Sequence, residues 1–351
     1  MYQHGGDIYG TPVELDFSIN VNPLGIPDEV VEAACNGVRG SGKYPDYACR
    51  ALRDALAEAE GYEKEHLIFG NGAAELIFLV CQAVRPKRAL VLAPTFAEYE
   101  EALQAVDCKV EYVHLRKEEG FAVTEEILRV LETGYDLFFL CNPNNPTGEI
   151  VDKELVEKIV SACKAQGTWL VVDECFQEFL EEEEQHSLIP KLSSYDRLCV
   201  VKAFTKIYCM AGLRLGYLLT ANEGLRTKME RLSQPWRVSI PAQYAGIAAI
   251  QATDYLERTK QVIRAERAYV KEGLQAEGIR CFASKANYIF FQEEEGLKEA
   301  LLEKGILIRS CSNYVGLDGT YYRVGLRRHE ENTRLLAVSY THLTLPTICS
   351  V

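Results

Sequence analysis

The sequence predicts an α/β protein, with a large domain built on a mostly parallel sheet and a smaller α+β domain after it. Three observations point there. Runs such as 137–141 (LFFLC) and 169–172 (WLVV) are apolar at every position, as strands covered on both faces must be. These runs alternate with amphipathic helical stretches from about residue 48 to residue 219. Asn71, Pro94, Asn142, Asp173 and Lys206 all lie at or just past the ends of such runs. Open parallel sheets bind ligands beyond the carboxyl ends of their strands.

Residues 1–25 carry Gly5-Gly6, Asn22-Pro23 and Gly25, and these turn formers read as an extended arm. A helix is expected over 27–38, and a second over 48–59 beyond the break at Tyr44-Pro45-Asp46. Short apolar strands are expected over 67–69, 89–92, 109–115, 137–141, 169–172, 198–202 and 215–219. Helical spacing fills the intervals at 73–84, 98–105, 124–131 and 153–165. After about residue 240 the pattern changes to a long helical stretch, 242–275, and then short strands over 288–291, 307–310 and 322–326 with helices between. The division that follows is an arm and helix joining the small domain (1–40), a large ligand-binding domain (41–240) and a small domain (241–337). Residues 338–351 have neither helical period nor charge, and read as non-native sequence such as a translated sequencing adapter. Glu181 to Glu184 read as a solvated acidic run.

Hydrophobic content of 48% and charged content of 25% are globular values. A formal net charge of −13 and a pI near 5.1 argue against a nucleic-acid surface or a polybasic membrane patch. The twelve cysteines form no C-x-x-C pair and no zinc-ligand spacing, so no metal is expected. Most sit in apolar runs, which suits reduced, buried thiols and a reducing compartment. The amino terminus lacks a basic segment followed by an apolar one, and no 18-residue apolar span occurs. A cytoplasmic protein is the expectation.

The chemistry centres on Lys206 in Ala203-Phe204-Thr205-Lys206, followed eight residues later by Arg214 in Gly212-Leu213-Arg214-Leu215-Gly216. Upstream lie Asp173, closing a buried strand, and Asn145 in Asn142-Pro143-Asn144-Asn145-Pro146-Thr147-Gly148. Amine, carboxylate and amide in this order are the groups needed to grip pyridoxal phosphate. A lysine forms the Schiff base and a carboxylate pairs with the pyridinium nitrogen. Such a partner also removes the cost of an unpaired carboxylate emerging from a core strand. Gly70-Asn71-Gly72-Ala73-Ala74-Glu75 links a strand to a helix, and its small residues let a phosphate approach the helix start. Thr205 adds a hydroxyl there and Arg214 a charge-assisted fork. Phe96 in Pro94-Thr95-Phe96 is placed to stack on a ring, although a core phenylalanine would look the same.

Together these residues resemble the fold-type I aminotransferase superfamily from about residue 4 to residue 336. The resemblance implies the pyridoxal-phosphate-dependent transferase fold and that cofactor. It makes Lys206 the Schiff-base lysine and proton shuttle, puts Asp173 at the ring nitrogen, and puts Asn145 at the phenolate oxygen. Ala73, Ala74, Thr205 and Arg214 fall on the phosphate. Tyr44 would reach the phosphate of a neighbouring subunit, which makes a homodimer the functional unit. Arg323 matches the arginine that receives a substrate α-carboxylate. Two departures stand out: Ala203 replaces a frequent hydroxyl residue, and Phe176 replaces a frequent tyrosine that would donate to the phenolate oxygen.

Both ends of the chain refine the resemblance. His4-Gly5-Gly6 with Leu15-Asp16-Phe17-Ser18-Ile19-Asn20-Val21-Asn22-Pro23 is similar to the amino terminus of threonine-phosphate decarboxylases. Ile308-Arg309-Ser310-Cys311-Ser312-Asn313-Tyr314 is similar to their small domain. Histidinol-phosphate aminotransferases share most of this. Both imply a phosphorylated amino-acid-like substrate, with Arg309 and His4 the candidates for its phosphate. Decarboxylation of L-threonine 3-O-phosphate is the first expectation, and transamination with 2-oxoglutarate the alternative. A non-catalytic sensor retaining the fold is disfavoured by the presence of Lys206, Asp173 and Asn145. An NAD-binding enzyme is disfavoured because no G-x-G-x-x-G follows the first strand.

Overall fold

The computed structural model describes residues 4–10, 12–181 and 186–344. Among the described residues, seven strands form the central sheet. From edge to edge they are Leu67–Gly70, Gly216–Leu219, Leu198–Ala203, Trp169–Asp173, Leu137–Cys141, Arg88–Ala93 and Lys109–His114. The last five run parallel, while Gly216–Leu219 is antiparallel to both neighbours. The mostly parallel sheet read from the apolar runs is therefore present.

Side chains alternate between two cores, as the two-residue period of a strand dictates. Leu140, Leu170, Val172 and Val200 enter one; Phe139, Val171, Cys199 and Val201 enter the other. Helices cover both faces. Arg50–Glu60, Lys153–Gln166 and Ile240–Gln251 close the first core; Ala73–Val84, Glu98–Gln104 and Glu223–Leu232 close the second. Covering both faces is what turns the carboxyl ends of the parallel strands into the open edge available to a ligand.

A second, antiparallel sheet has the order Arg309–Ser310, Tyr321–Gly325, Tyr288–Gln292, Arg280–Cys281. The long helix Thr253–Ala276 packs on it and on His329–Thr344. The arm is stitched into both regions. Leu15–Asp16 pairs with Ile306–Leu307, and the Asn22 amide donates from its side chain to Ile207 O at 2.8 Å and Thr259 Oγ1 at 2.6 Å. Asp28–Arg39 then packs against Ile240–Gln251. No helix among the described residues is long and apolar enough to cross a membrane.

Three elements differ from expectation. The stretch expected as one helix breaks at Ala252 (φ −81°, ψ 60°) into Ile240–Gln251 and Thr253–Ala276, with no glycine or proline to mark the break. The helix Glu223–Leu232 was not expected, because it buries only Leu225 and Met229 and so carries a thin apolar stripe. Its start is fixed by Asn222, whose Oδ1 accepts from Leu225 N at 2.8 Å. The last helix runs from His329 through Val338 to Thr344, where no helical period is legible. Leu335 and Ser339 on it are buried. The expectation for residues 345–351, and for the acidic residues Glu182, Glu183 and Glu184, lies outside the described residues.

Among the described residues, a charged cluster outside the cavity lining forms beside the ends of two central strands. Lys202 Nζ lies 3.1 Å from Glu178 Oε1; Lys202 is buried and Glu178 nearly so. Glu174 accepts from Ser187 Oγ at 2.8 Å and from Leu188 N at 2.7 Å. Burial pushes the Glu174 carboxyl up to about 7, against the opposing pull of Lys202. Its folded value lies above its unfolded one, so the protonated form favours folding. That contribution is complete below the ordinary glutamate range and is lost as pH rises through about 7. Replacing Glu174 with glutamine removes the titration. Thermal unfolding from about pH 5 to about pH 8 is expected to show the variant gaining stability relative to the parent as pH rises; a constant difference would refute the assignment.

Candidate active site

A cavity of about 320 Å³ opens at the carboxyl ends of the central strands. Of the residues singled out from sequence, Lys206, Ala73, Ala74, Phe96, Asn145, Asp173, Thr205, Arg214, Arg323, Arg309 and His4 all line it. Tyr44 does not. It is exposed and stacks on Trp236 with ring centroids 4.3 Å apart. The two departures, Ala203 and Phe176, also face the cavity. Phe176 meets Tyr288 edge-on at 5.2 Å.

One end of the cavity is an anion cradle. Helix Ala73–Val84 begins there with its first amide groups unpaired within the helix. Gly72 sits at φ 81°, and a Cβ on it would lie 2.4 Å from Arg214 Nη2. A Cβ on Gly216 would lie 2.6 Å from Ala73 N. Gly72 is therefore needed for the guanidinium to lie against the turn, and Gly216 for its strand to approach the helix start. Arg214 itself adopts a left-handed backbone (φ 59°), which turns it back toward the turn. Helix amides, guanidinium and the buried Thr205 hydroxyl form the donor set that a phosphate monoester requires.

Asp173 ends its strand beside this cradle. Its Oδ2 accepts from Tyr99 Oη at 2.7 Å and its Oδ1 from Cys175 N at 2.9 Å. Tyr99 is fully buried, stacks on Phe139 at 4.8 Å, and meets Phe96 edge-on at 5.5 Å. One tyrosine thus braces both the acid and the aromatic expected to hold a ring. Asn145 is buried, and its Oδ1 accepts from Arg323 Nη1. That acceptance leaves its amide N–H groups as donors toward the cavity. The loop is fixed by Asn144, which donates to Pro94 O and to Thr147 Oγ1, both at 3.0 Å.

Lys206 sits on the short helix Phe204–Ile207, directly after its strand. Asn22 N donates to Lys206 O at 2.9 Å, so the arm holds the peptide that carries the amine. Burial pushes the Lys206 ammonium down to about 8, helped by the positive charges of Arg323 and Arg214. The amine is therefore readily neutral, and neutral amines attack aldehydes. Arg323 also donates from Nη2 to Ser18 O at 2.8 Å, while its buried Nε has no hydrogen-bond partner. Arg309 is buried and donates from Nη2 to Asn313 Oδ1 at 2.8 Å, with its guanidinium over the Tyr314 ring. His4 Nδ1 lies 3.2 Å from Glu98 Oε1 across the cavity wall.

Tyr99 and Glu98 belong to this site and escape a reading by motif, while Ser18 and Tyr314 stand in quoted motifs without a role read for them. Tyr99 lies 74 positions from Asp173, and no local pattern joins them. The residues present fit pyridoxal phosphate: an anion cradle, an aromatic wall, a braced acid, an amide donor and an amine of depressed basicity share one cavity.

The family description "Aminotransferase class I and II" matches residues 12–338, and the chain belongs to that family. Its members depend on pyridoxal phosphate, and this chain is such an enzyme. A threonine-phosphate decarboxylase of Salmonella typhimurium is 37% identical over 334 residues, covering 94% of this chain and 91% of that one. A histidinol-phosphate aminotransferase of Archaeoglobus fulgidus is 31% identical over 326 residues, covering 92% and 91%. Among solved structures, the histidinol-phosphate aminotransferase of Clostridium acetobutylicum aligns with a TM-score of 0.87 at 29% identity, covering 94% of this chain and 99% of that one.

Two outcomes are expected of the cofactor-free protein. Covalent capture of pyridoxal phosphate, followed by its absorbance band, should quicken as pH rises through about 8 and then level off. Arg323→Gln should move that midpoint upward, because a charge that depresses the amine is gone, and Lys206→Ala should abolish the band. An unmoved midpoint would discount the electrostatic account. Separately, Tyr99→Phe should weaken cofactor retention by roughly tenfold, the worth of one hydrogen bond to a charged group. Dialysis against buffer measures this, with unfolding of the cofactor-free variant as the control for a merely structural loss.

Proposed function

We propose that this chain decarboxylates L-threonine 3-O-phosphate, giving an aminopropanol phosphate of the kind used for a corrinoid side arm. The observation that carries the substrate class is a second buried arginine. Arg214 belongs to the cofactor's phosphate cradle, and Arg323 suits an α-carboxylate. Arg309 then remains for a further anion in the same cavity, whose lining also includes His4. An amino acid bearing a phosphate ester supplies those two anions. Similarity to threonine-phosphate decarboxylases supports the choice of reaction.

Bound pyridoxal phosphate supplies an electron sink for the pair left behind when a bond at Cα breaks. The protein's residues select and manage that event. Asp173, braced by Tyr99, would keep the ring nitrogen protonated. Asn145 presents its amide donors to the ring's oxygen, and with Phe176 in place of tyrosine it carries more of that task. Arg323 receives the substrate carboxylate through its unpartnered Nε–H and holds its angle. Lys206 would anchor the cofactor through its neutral amine; with its ammonium lowered to about 8 it is still largely protonated near neutral pH when free, and in that form it would return a proton to Cα after carbon dioxide leaves.

The exposed aromatics Tyr44, Tyr47, Trp236 and Tyr244 support a second copy of this chain as the covering partner. In that homodimer Tyr44 would approach the neighbouring cradle.

Transamination of histidinol phosphate is the second reading, favoured by relatives of that name and served by the same Arg309 and His4. The two separate in one assay. Purified holoenzyme with threonine phosphate and no keto acid should release carbon dioxide; glutamate formation that requires 2-oxoglutarate, without gas, would sink the decarboxylase. Arg309→Gln should raise KM for the phosphorylated substrate about ten- to a hundredfold, the worth of a charge-assisted hydrogen bond.

A further inference from the structure

Arg309 and Arg323 stand directly opposite each other on adjacent antiparallel strands, so both side chains leave the sheet on one face, and both line the same cavity. Like charges in that position repel, and among the described residues neither guanidinium is paired with a carboxylate. Their surroundings differ. Arg323 donates to Asn145 Oδ1 and to Ser18 O. Arg309 donates from Nη2 to Asn313 Oδ1 at 2.8 Å and lays its guanidinium against Tyr314, 5.4 Å from the ring centroid. Tyr314 is held in a tight turn of the same segment. Its N–H donates to Cys311 O at 3.0 Å, and its carbonyl accepts from Leu317 N at 3.1 Å. The residue is buried and lines the cavity. Among the described residues its hydroxyl meets no hydrogen-bond partner, yet, unlike Glu98 Oε2, it is not shut off from water. A polar group in such a place is satisfied by water or by a ligand, and here the open side is the cavity.

We propose that the Tyr314 hydroxyl donates a hydrogen bond to the substrate's phosphoryl group, which makes Tyr314 a specificity-determining residue that acts with Arg309 on one anion. This rests on the phosphorylated-substrate reading above and sharpens it. A phosphoryl group carries three strong acceptor oxygens, and a guanidinium fork engages two of them. The third oxygen needs a further donor, and Tyr314 brings one on the turn that follows Arg309. A carboxylate has two oxygens and makes no such demand at Arg323. Burial pushes the Tyr314 phenol up, against the opposing pull of Arg323 and Arg309, so the hydroxyl keeps its hydrogen at neutral pH and acts as a donor. The ring's contact with the Arg309 guanidinium does not involve the hydroxyl. Phenylalanine therefore removes the proposed donor and leaves that contact in place.

The test uses holoenzyme and separates the two anions of the substrate. Aminopropanol phosphate carries the phosphate without the carboxylate, L-threonine the carboxylate without the phosphate, and aminopropanol neither. Binding of each is followed through the cofactor absorbance. Tyr314→Phe should weaken aminopropanol phosphate about tenfold or more, the worth of a hydrogen bond to a charged group, and leave threonine within about twofold. The hydroxyl touches no protein group, so the variant should fold as the parent does, and an intact cofactor band checks this. Equal weakening of both ligands, a loss confined to threonine, or no loss at all overturns the proposal. If the parent binds aminopropanol phosphate no more tightly than aminopropanol, the phosphorylated-substrate reading falls first and this proposal falls with it.

Discussion

A carboxylate at the end of a buried strand must be answered, and much of this site is arranged around Asp173. Its strand is apolar up to the acid, so the polypeptide delivers a charge to the edge of a dry core. Tyr99 and the Cys175 amide satisfy one oxygen each. Neither neutralises the charge, which leaves a place for a cation in the cavity. The sheet register makes that place useful. Asp173 pairs with Val201 on the neighbouring strand, which runs on through Ala203 into the helix bearing Lys206. Acid and amine thereby face one space because two adjacent parallel strands end together.

Positive charge is crowded on the other walls, and this crowding has chemical value. Arg323 and Arg214 are not paired with carboxylates in the cavity; their hydrogen bonds go to Asn145, Ser18 and Ala211. Their fields stay uncancelled, so they depress the basicity of Lys206 and remain available to anions. The Lys202–Glu178 pair shows the contrasting arrangement. There each charge is spent on the other, and the result is structural.

The parallel sheet was legible because strands buried on both faces must be apolar at every position, and 137–141 and 169–172 are. Lys206, Asp173, Asn145 and the glycine turn were legible because each must stand at a strand end. What escaped has a common cause: Tyr99, Glu98 and the role of Ser18 depend on partners that only the tertiary fold brings near. The break at Ala252 and the helix Glu223–Leu232 escaped for a different reason, since neither carries a strong local marker. Tyr44 was legible as a residue but lies outside its own cavity, stacked on Trp236.

Asn22 deserves a mechanical reading. Its backbone N–H holds the carbonyl of Lys206, and its side chain spans from Ile207 to Thr259 on the long helix beneath the second sheet. One amide thereby joins the peptide of the reactive lysine to the small-domain side of the fold. The arm therefore ties the peptide of the reactive lysine to the helix that supports the second sheet.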